Sequence, residues 1–215
     1  MVGTTWFTAD PHFGHARIIE LCDRPFASVE EMNEALVHNW NEVVSDGDTV
    51  FILGDLALGK IDESLLYVAE LKGRNKILVP GNHDRVWSGH PKPGKPVRPE
   101  DIERYQAAGL TIADGIVPYL HYPPNGDGVG KDYTATPQTW TLCHFPDVGD
   151  SHDADRFDAW RPKPPSFKGD VIVHGHVHGK WAVNGPRINV GVDVCGFTPV
   201  HEDHVAKLVT AAWAR

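Results

Sequence analysis

The sequence predicts a layered α/β sandwich. Short apolar runs without alternation recur along the chain, as strands covered on both faces require. Helix-like stretches separate the first of these runs, and the second half reads mostly as strand, a pattern that suits layered sheets and helices. Five of the runs end on metal-binding side chains: Asp10-Pro11-His12, Gly54-Asp55, Gly81-Asn82-His83-Asp84, His144 and Gly175-His176-Val177-His178.

The first run, residues 5–9, reads as a buried strand leading into Asp10. Ser28 and Glu31 then form a capping box, after which Met32, Leu36, Trp40 and Val43 recur at helical spacing up to Asp46-Gly47. Residues 49–53 form a second strand and deliver Gly54-Asp55. Asp62 can cap a helix carrying Leu65, Leu66, Ala69 and Leu71, which Gly73 stops. Residues 76–79 are a third strand, ending at the Gly81–Asp84 turn. Pro99 can open a further helix with Ile102 and Tyr105 inward and Gly109 past its end. Residues 139–143 and 171–173 are strands that deliver His144 and the segment from His174 to His178, and residues 187–194 and 204–209 read as further strands. Metal ligands would thus gather at the carboxyl ends of strands, where open α/β sheets bind ligands. Residues 87–98, 123–137 and 145–169 lack periodicity, and loops of that length are often functional.

At 215 residues the chain suits one domain, residues 1–215, with a sizeable core. Hydrophobic content of 41% and charged content of 23% are ordinary for a globular protein. No stretch approaches the roughly 18 apolar residues of a membrane span, and residues 1–9 lack the basic-then-apolar order of a secretory signal. Cys22, Cys143 and Cys195 are too few and too scattered for a disulfide framework or a thiolate zinc site. The expected setting is therefore a reducing cytoplasm. A net charge of −9 argues against a broad grip on long nucleic acid, and no membrane partner is expected. A small phosphate-bearing substrate is compatible with that charge, because bound divalent ions reverse the field locally.

The donor set is mixed nitrogen and oxygen. In an extended segment, Asp10 and His12 can point to one side and grip an ion; Asp55 can bridge two ions; Asn82 offers an amide oxygen, and His144, His176 and His178 offer imidazoles. Such a set suits Mn, Fe, Zn, Co or Ni better than Ca or Mg. With Asp10 and Asp55 as the anionic ligands, two divalent ions leave the site positive by about two charges, which attracts phosphate. Two ions roughly 3.5–4 Å apart lower the pKa of a bridging water and stabilise phosphoryl oxygens during in-line attack.

In this order the segments resemble the calcineurin-like metallophosphoesterase superfamily, whose pattern D-x-H, G-D, G-N-H-[DE], H, G-H-x-H is matched from position 10 to position 178. The resemblance implies a four-layer α/β/β/α sandwich. It places Asp10, His12, Asp55 and His178 on one metal, with Asp55, Asn82, His144 and His176 on the other. It also makes His83 the catalytic histidine that protonates the departing oxygen and Asp84 the acid that orients it. The opening Trp6–His15 segment, continuing to Arg24-Pro25-Phe26, is similar to a small single-domain branch found in bacteria and their phages, many of whose members are manganese-dependent phosphodiesterases. Serine/threonine protein phosphatases carry G-D-x-x-D-R-G, whereas this chain reads Gly54-Asp55-Leu56-Ala57-Leu58-Gly59-Lys60, which disfavours that activity.

The resemblance therefore implies a two-metal phosphodiesterase for nucleotide-like diesters, cyclic nucleotides included, with manganese the favoured ion. The alternatives are a phosphomonoesterase or nuclease, and more remotely a binding scaffold without chemistry. Each segment alone has a plainer reading: a lone G-D is turn chemistry, and His176 and His178 alone could be solvent-facing. Among the other histidines, His174 reads as a core residue or one packed behind the metal ligands, and His15 as either a metal-site neighbour or a helix start. His121 competes weakly with His144. His38, His90, His152, His201 and His204 read as ordinary. Arg24 reads as an ion-pair residue more readily than as a phosphate ligand.

Overall fold

The computed structural model describes residues 3–89, 96–124, 131–148, 157–165 and 170–213. His90, His152 and parts of the three irregular stretches lie outside the described residues.

Among the described residues, ten strands form two five-stranded sheets. In the first sheet the order is β10-β1-β2-β3-β4, from β1 (Thr5–Thr8), β2 (Thr49–Ile52), β3 (Asn75–Leu78), β4 (Leu110–Ile112) and β10 (Val200–His201). Its four strands β1 to β4 run parallel, and β10 closes the edge antiparallel to β1. The second sheet has the order β5-β6-β7-β9-β8, from β5 (Ile116–His121), β6 (Gln138–Cys143), β7 (Val171–His174), β8 (Val183–Asn184) and β9 (Arg187–Asn189). Here β6, β7 and β9 are parallel, while β5 and β8 are antiparallel edges. Pro118 sits in β5, an edge position where a missing amide breaks no ladder.

Alternation along the strands divides the interior in two. Phe7, Phe51, Leu53 and Val79 of the first sheet meet Trp140, Leu142, Val171, Val173 and Ile188 of the second, forming the core between the sheets. Val50, Ile52 and Leu78 face the other way and pack with Met32, Leu36 and Trp40 of α2 (Val29–Val43), Leu65 and Val68 of α3 (Ile61–Ala69), and Tyr105 of α4 (Pro99–Ala107). Fully buried aromatics such as Trp140 each stabilise by roughly 2–3 kcal/mol through removal from water. A short α1 (Arg17–Leu21) precedes these helices, and α5 (Glu202–Trp213) packs where β10, β1, β8 and β9 meet. This mixed α/β sandwich is the expected class. No helix among the described residues is long and apolar enough to cross a membrane.

Several local expectations need correction. Residues 204–209 lie within α5 rather than a strand, because Val205 and Val209 repeat at one helical face and enter the inter-sheet core. Residues 187–194 are strand only through Asn189; an isolated bridge at Gly191 and a 3₁₀ turn over Val192–Val194 follow. Asp62 does not cap α3: Lys60 is the N-cap, and the Asp62 carboxylate pairs with Arg104 at 3.0 Å. Ile102 is exposed rather than inward, and Leu66 on α3 is exposed as well. The Ser28 cap holds, its hydroxyl accepting the Glu31 amide at 3.1 Å, but the Glu31 carboxylate reaches back to the Ala27 amide. Strands β4, β5, β8 and β10 were not anticipated, and α1 only in the reading of His15 as a helix start.

Candidate metal centre

Parallel pairing puts the carboxyl ends of β1, β2 and β3 side by side, and likewise those of β6 and β7. Each predicted segment leaves one of these five ends. The sheets are stitched together at this rim, where Ala9 pairs with Gly191 and the Ala9 amide donates to Val190 O at 3.1 Å; within the second sheet, Gly175 N–H donates to His144 O at 3.1 Å. The loop after β1 runs along the loop after β2, with Asp10 N–H on Gly54 O at 3.0 Å and His12 N–H on Asp55 O at 3.1 Å.

All nine predicted site residues come together here. The Asp55 carboxylate is central: its Oδ2 lies 3.4 Å from His144 Nε2, 3.7 Å from His12 Nε2 and 3.9 Å from His83 Nε2. Its Oδ1 accepts the His83 amide at 2.8 Å. His144 Nε2 also lies 3.1 Å from Asn82 Oδ1. Asp10 Oδ2 accepts the His176 amide at 2.9 Å, and the His12 and His178 rings stack at 5.2 Å. The His176 ring stands 5.0 Å from His144 and packs against Phe145 and Phe157. His83 is the most open of the set, with 46% of its side chain exposed.

The backbone marks the same residues. Asp10, His12, Asp55, His176 and His178 account for five of the seven non-glycine residues with left-handed φ among those described. Such conformations cost of order 1 kcal/mol or more each and persist where surroundings impose them, commonly at functional sites. Asp10 and His12, at φ 56° each, therefore converge through a turn rather than the extended segment expected. Close approach explains two glycines. A Cβ on Gly54 would come within 2.5 Å of His144 Nδ1, and one on Gly81 would collide with Asp55 Oδ1.

Three observations test the fit of a divalent ion. Asp10 Oδ1 and His12 Nε2 are buried and have no hydrogen-bond partner, a costly state unless a cation binds them. His144 Nδ1–H donates to Leu53 O at 2.8 Å, which leaves Nε2 as a lone-pair atom facing the Asn82 oxygen. Two acceptors so close call for a proton or a cation between them. Finally, Asp10, His12 and His178 form one group whose ligand atoms could hold an ion, and Asp10, Asp55 and His144 form a second. The residues fit.

The electrostatics agree. Burial opposes charge on His144, but the Asp55 and Asp10 carboxylates outweigh it and push the ring up to about 9. Burial likewise opposes charge on His178, yet its hydrogen bond to Asp193, with Asp10 near by, raises it to about 11. Burial raises Asp55 less than the neighbouring histidines lower it, so it stays ionised well below the usual carboxylate range. Fields that draw protons so strongly onto these histidines draw divalent cations too.

Asp84 differs from its expected part. Its carboxylate accepts the amides of Asp55 (2.8 Å), Leu56 (3.0 Å) and Gly81 (2.8 Å) and makes no bond to the His83 ring. Burial and the Asp55 charge push it up to about 7, against the pull of those amides. Its hold on His83 is through the loop that carries both.

Other residues are now placed. His15 Nδ1 is 3.4 Å from His12 Nδ1, and its ring is 6.4 Å from that of His83, so it borders the site. His121 is remote from the site: it stacks on Trp140 and bonds Glu202 at 2.7 Å. His174 is fully buried beside Trp181. Arg24 is an interior ion-pair residue, and its partner Asp193 was missed because residues 187–194 read as one continuous strand.

Comparisons with known proteins point the same way. The family model for calcineurin-like phosphoesterase matches residues 3–180. An uncharacterized protein of Methanocaldococcus jannaschii is 31% identical over 95% of this chain and 90% of its own length. The gene 66 proteins of Mycobacterium phages L5 and D29 are 31% and 32% identical, over 97% and 89% of this chain and 95% and 89% of theirs. A crystal structure of a protein of unknown function from Aquifex aeolicus shares the fold, with TM-score 0.60 at 23% identity over 96% of this chain and 99% of that one.

Proposed function

This chain belongs to the calcineurin-like phosphoesterase family, and on that premise we propose that it is a binuclear metal-dependent phosphodiesterase acting on nucleotide-like diesters, cyclic nucleotides among them. The observation that carries the reading is the buried, partnerless pair Asp10 Oδ1 and His12 Nε2 beside Asp55 Oδ2, which sits between His12, His83 and His144.

Asp10, His12, Asp55 and His178 would hold one ion, and Asp55, Asn82, His144 and His176 the other, with manganese favoured over iron, zinc, nickel or cobalt. Two bound divalent ions supply an acidified water and neutralise phosphoryl charge. The protein supplies position and a proton. Left-handed turns at Asp10, His12, Asp55, His176 and His178 aim five side chains inward from rigid strand ends. His83, half-exposed at the mouth with Nε2 3.9 Å from Asp55 Oδ2, is placed to hand a proton to the departing oxygen. Asp84 fixes the loops after β2 and β3 against each other through three amides.

Preference for a diester is supported by Arg24. Its guanidinium is fully engaged inside the protein and offers no added grip for the second negative charge of a monoester. The net charge of −9 also favours a small substrate over long nucleic acid. The test is a panel of phosphate esters assayed with several divalent ions. Turnover of a bis-aryl diester well above the aryl monoester is the expected result; the reverse order overturns the diesterase reading.

A further inference from the structure

Arg24 and Asp193 stand 169 positions apart in sequence and meet inside the protein, with side chains 0% and 4% exposed. The contact is a two-pronged fork: Arg24 Nε donates to Asp193 Oδ1 at 2.8 Å and Nη2 to Oδ2 at 2.9 Å. The remaining donors of the guanidinium reach Asp10 O (2.8 Å), Pro11 O (2.9 Å) and Met32 Sδ (3.4 Å). All five N–H groups therefore have acceptors. Two of those acceptors are the backbone carbonyls of the very turn that sends Asp10 and His12 inward at left-handed φ.

Asp193 continues the chain of contacts. Its Oδ2 lies 3.0 Å from His178 Nδ1. A carboxylate already accepting two guanidinium bonds has only lone pairs to offer, so Nδ1 must carry the hydrogen. The other ring nitrogen, Nε2, is then the one free to bind an ion. A buried ion pair is a poor source of stability, since desolvation offsets most of the attraction. Its geometry here serves another purpose, because it bonds two residues of one candidate group, Asp10 and His178, and reaches the third, His12, through the carbonyl of the preceding Pro11. Only arginine has the planar fork that can meet Asp193 and two carbonyls together.

We propose that Arg24 and Asp193 are positioning residues for one of the two metal sites: Asp193 fixes the ring and tautomer of His178, and Arg24 locks Asp193 to the Asp10-Pro11-His12 turn. The second site, built on Asn82, His144 and His176, receives nothing directly from this pair. The proposal rests on the two-metal reading above, and the test separates the two. Cys22 also approaches His178 and Asp193, so the thiol is kept in all variants.

The experiment is titration of the full-length protein with Mn²⁺, reading free ion by electron paramagnetic resonance, for the natural sequence and for Asp193→Ala and Arg24→Lys. The natural protein binds two ions. In the folded variants one ion binds as before and the other about 10–100-fold more weakly, the range for losing a group that orients a ligand. A purely structural pair would weaken both sites together, and that outcome, or two ions held with unchanged affinity, overturns the proposal. Nitrogen-15 NMR of the metal-free natural protein, with His178 assigned by comparison with His178→Gln, gives a second reading that needs no variant of the pair. A hydrogen on Nδ1, shared with Asp193, is expected; an Nδ1 that carries no hydrogen overturns the proposal even if the variants fail to fold. If the natural protein binds no ion, the two-metal reading fails, while the NMR result still judges the link from Asp193 to His178.

Discussion

The carboxylate of Asp84 accepts the backbone amide of Asp55 at 2.8 Å, so the residue beside the exposed His83 holds in place the one whose carboxylate lies between the two groups of donors. The same carboxylate takes the amides of Leu56 and Gly81. Asp84→Ala strands three amides and is expected to cost about 3 kcal/mol in denaturant unfolding. Activity should fall with ion affinity, measured by titration, because Asp55 is no longer fixed. Unchanged affinity in the variant would contradict this bracing part.

Gly81 packs its Cα against Asp55, and an added Cβ would collide with Asp55 Oδ1 and sit 2.7 Å from its amide. Gly81→Ala should therefore displace the central carboxylate while leaving every donor in the sequence. Weaker binding of both ions, with a melting temperature only modestly lowered, is the expected outcome of calorimetry on the variant.

His83 has no ligand to hold in the proposed scheme, and its open position suits a proton donor to the substrate. General acid help matters most for poor leaving groups and amounts to roughly 10²–10⁴-fold. His83→Ala should lose nucleoside-type diesters to about that extent and keep more activity on nitrophenyl esters. Equal losses on both substrates would argue that the ring only shapes the pocket.

How the sequence foretold this site, and where it fell silent, follows from the range of the interactions. Asp10, Asp55, Asn82, His144 and His176 each end an apolar run, and parallel pairing of those runs suffices to gather them. Helix α2 was legible because Ser28 caps it and Met32, Leu36 and Trp40 recur on one buried face. By contrast, residues 204–209 of α5 looked like a strand, since six residues with four apolar among them cannot distinguish the two periods without the neighbours Glu202 and Asp203. The left-handed φ of His12 and His178 leaves no mark on residue type. Arg24 and Asp193 could not be joined by any local pattern, being 169 residues apart.

A cluster away from the site gives a pH dependence. Glu202 on α5 accepts from Tyr119 (2.7 Å), His121 (2.7 Å) and Lys131 (2.8 Å). Burial opposes its charge, but these partners outweigh burial and lower it from 4.5 to about 2. A carboxyl lowered in the folded state stabilises fully above its unfolded value and loses that contribution as pH falls toward the folded one. With Lys131 partly exposed, the contribution is on the order of 2 kcal/mol. Urea unfolding of the natural protein and Glu202→Gln should differ by this amount near neutrality and converge as pH drops from about 4.5 to about 2. A gap that widens in acid would contradict the assignment.

The most direct test of the central claim is a crystal grown with manganese and measured at the manganese absorption edge. Two anomalous peaks are expected, one against Asp10, His12 and His178, the other against Asn82, His144 and His176, with Asp55 reaching both. A single peak elsewhere, or none at these strand ends, would contradict the account.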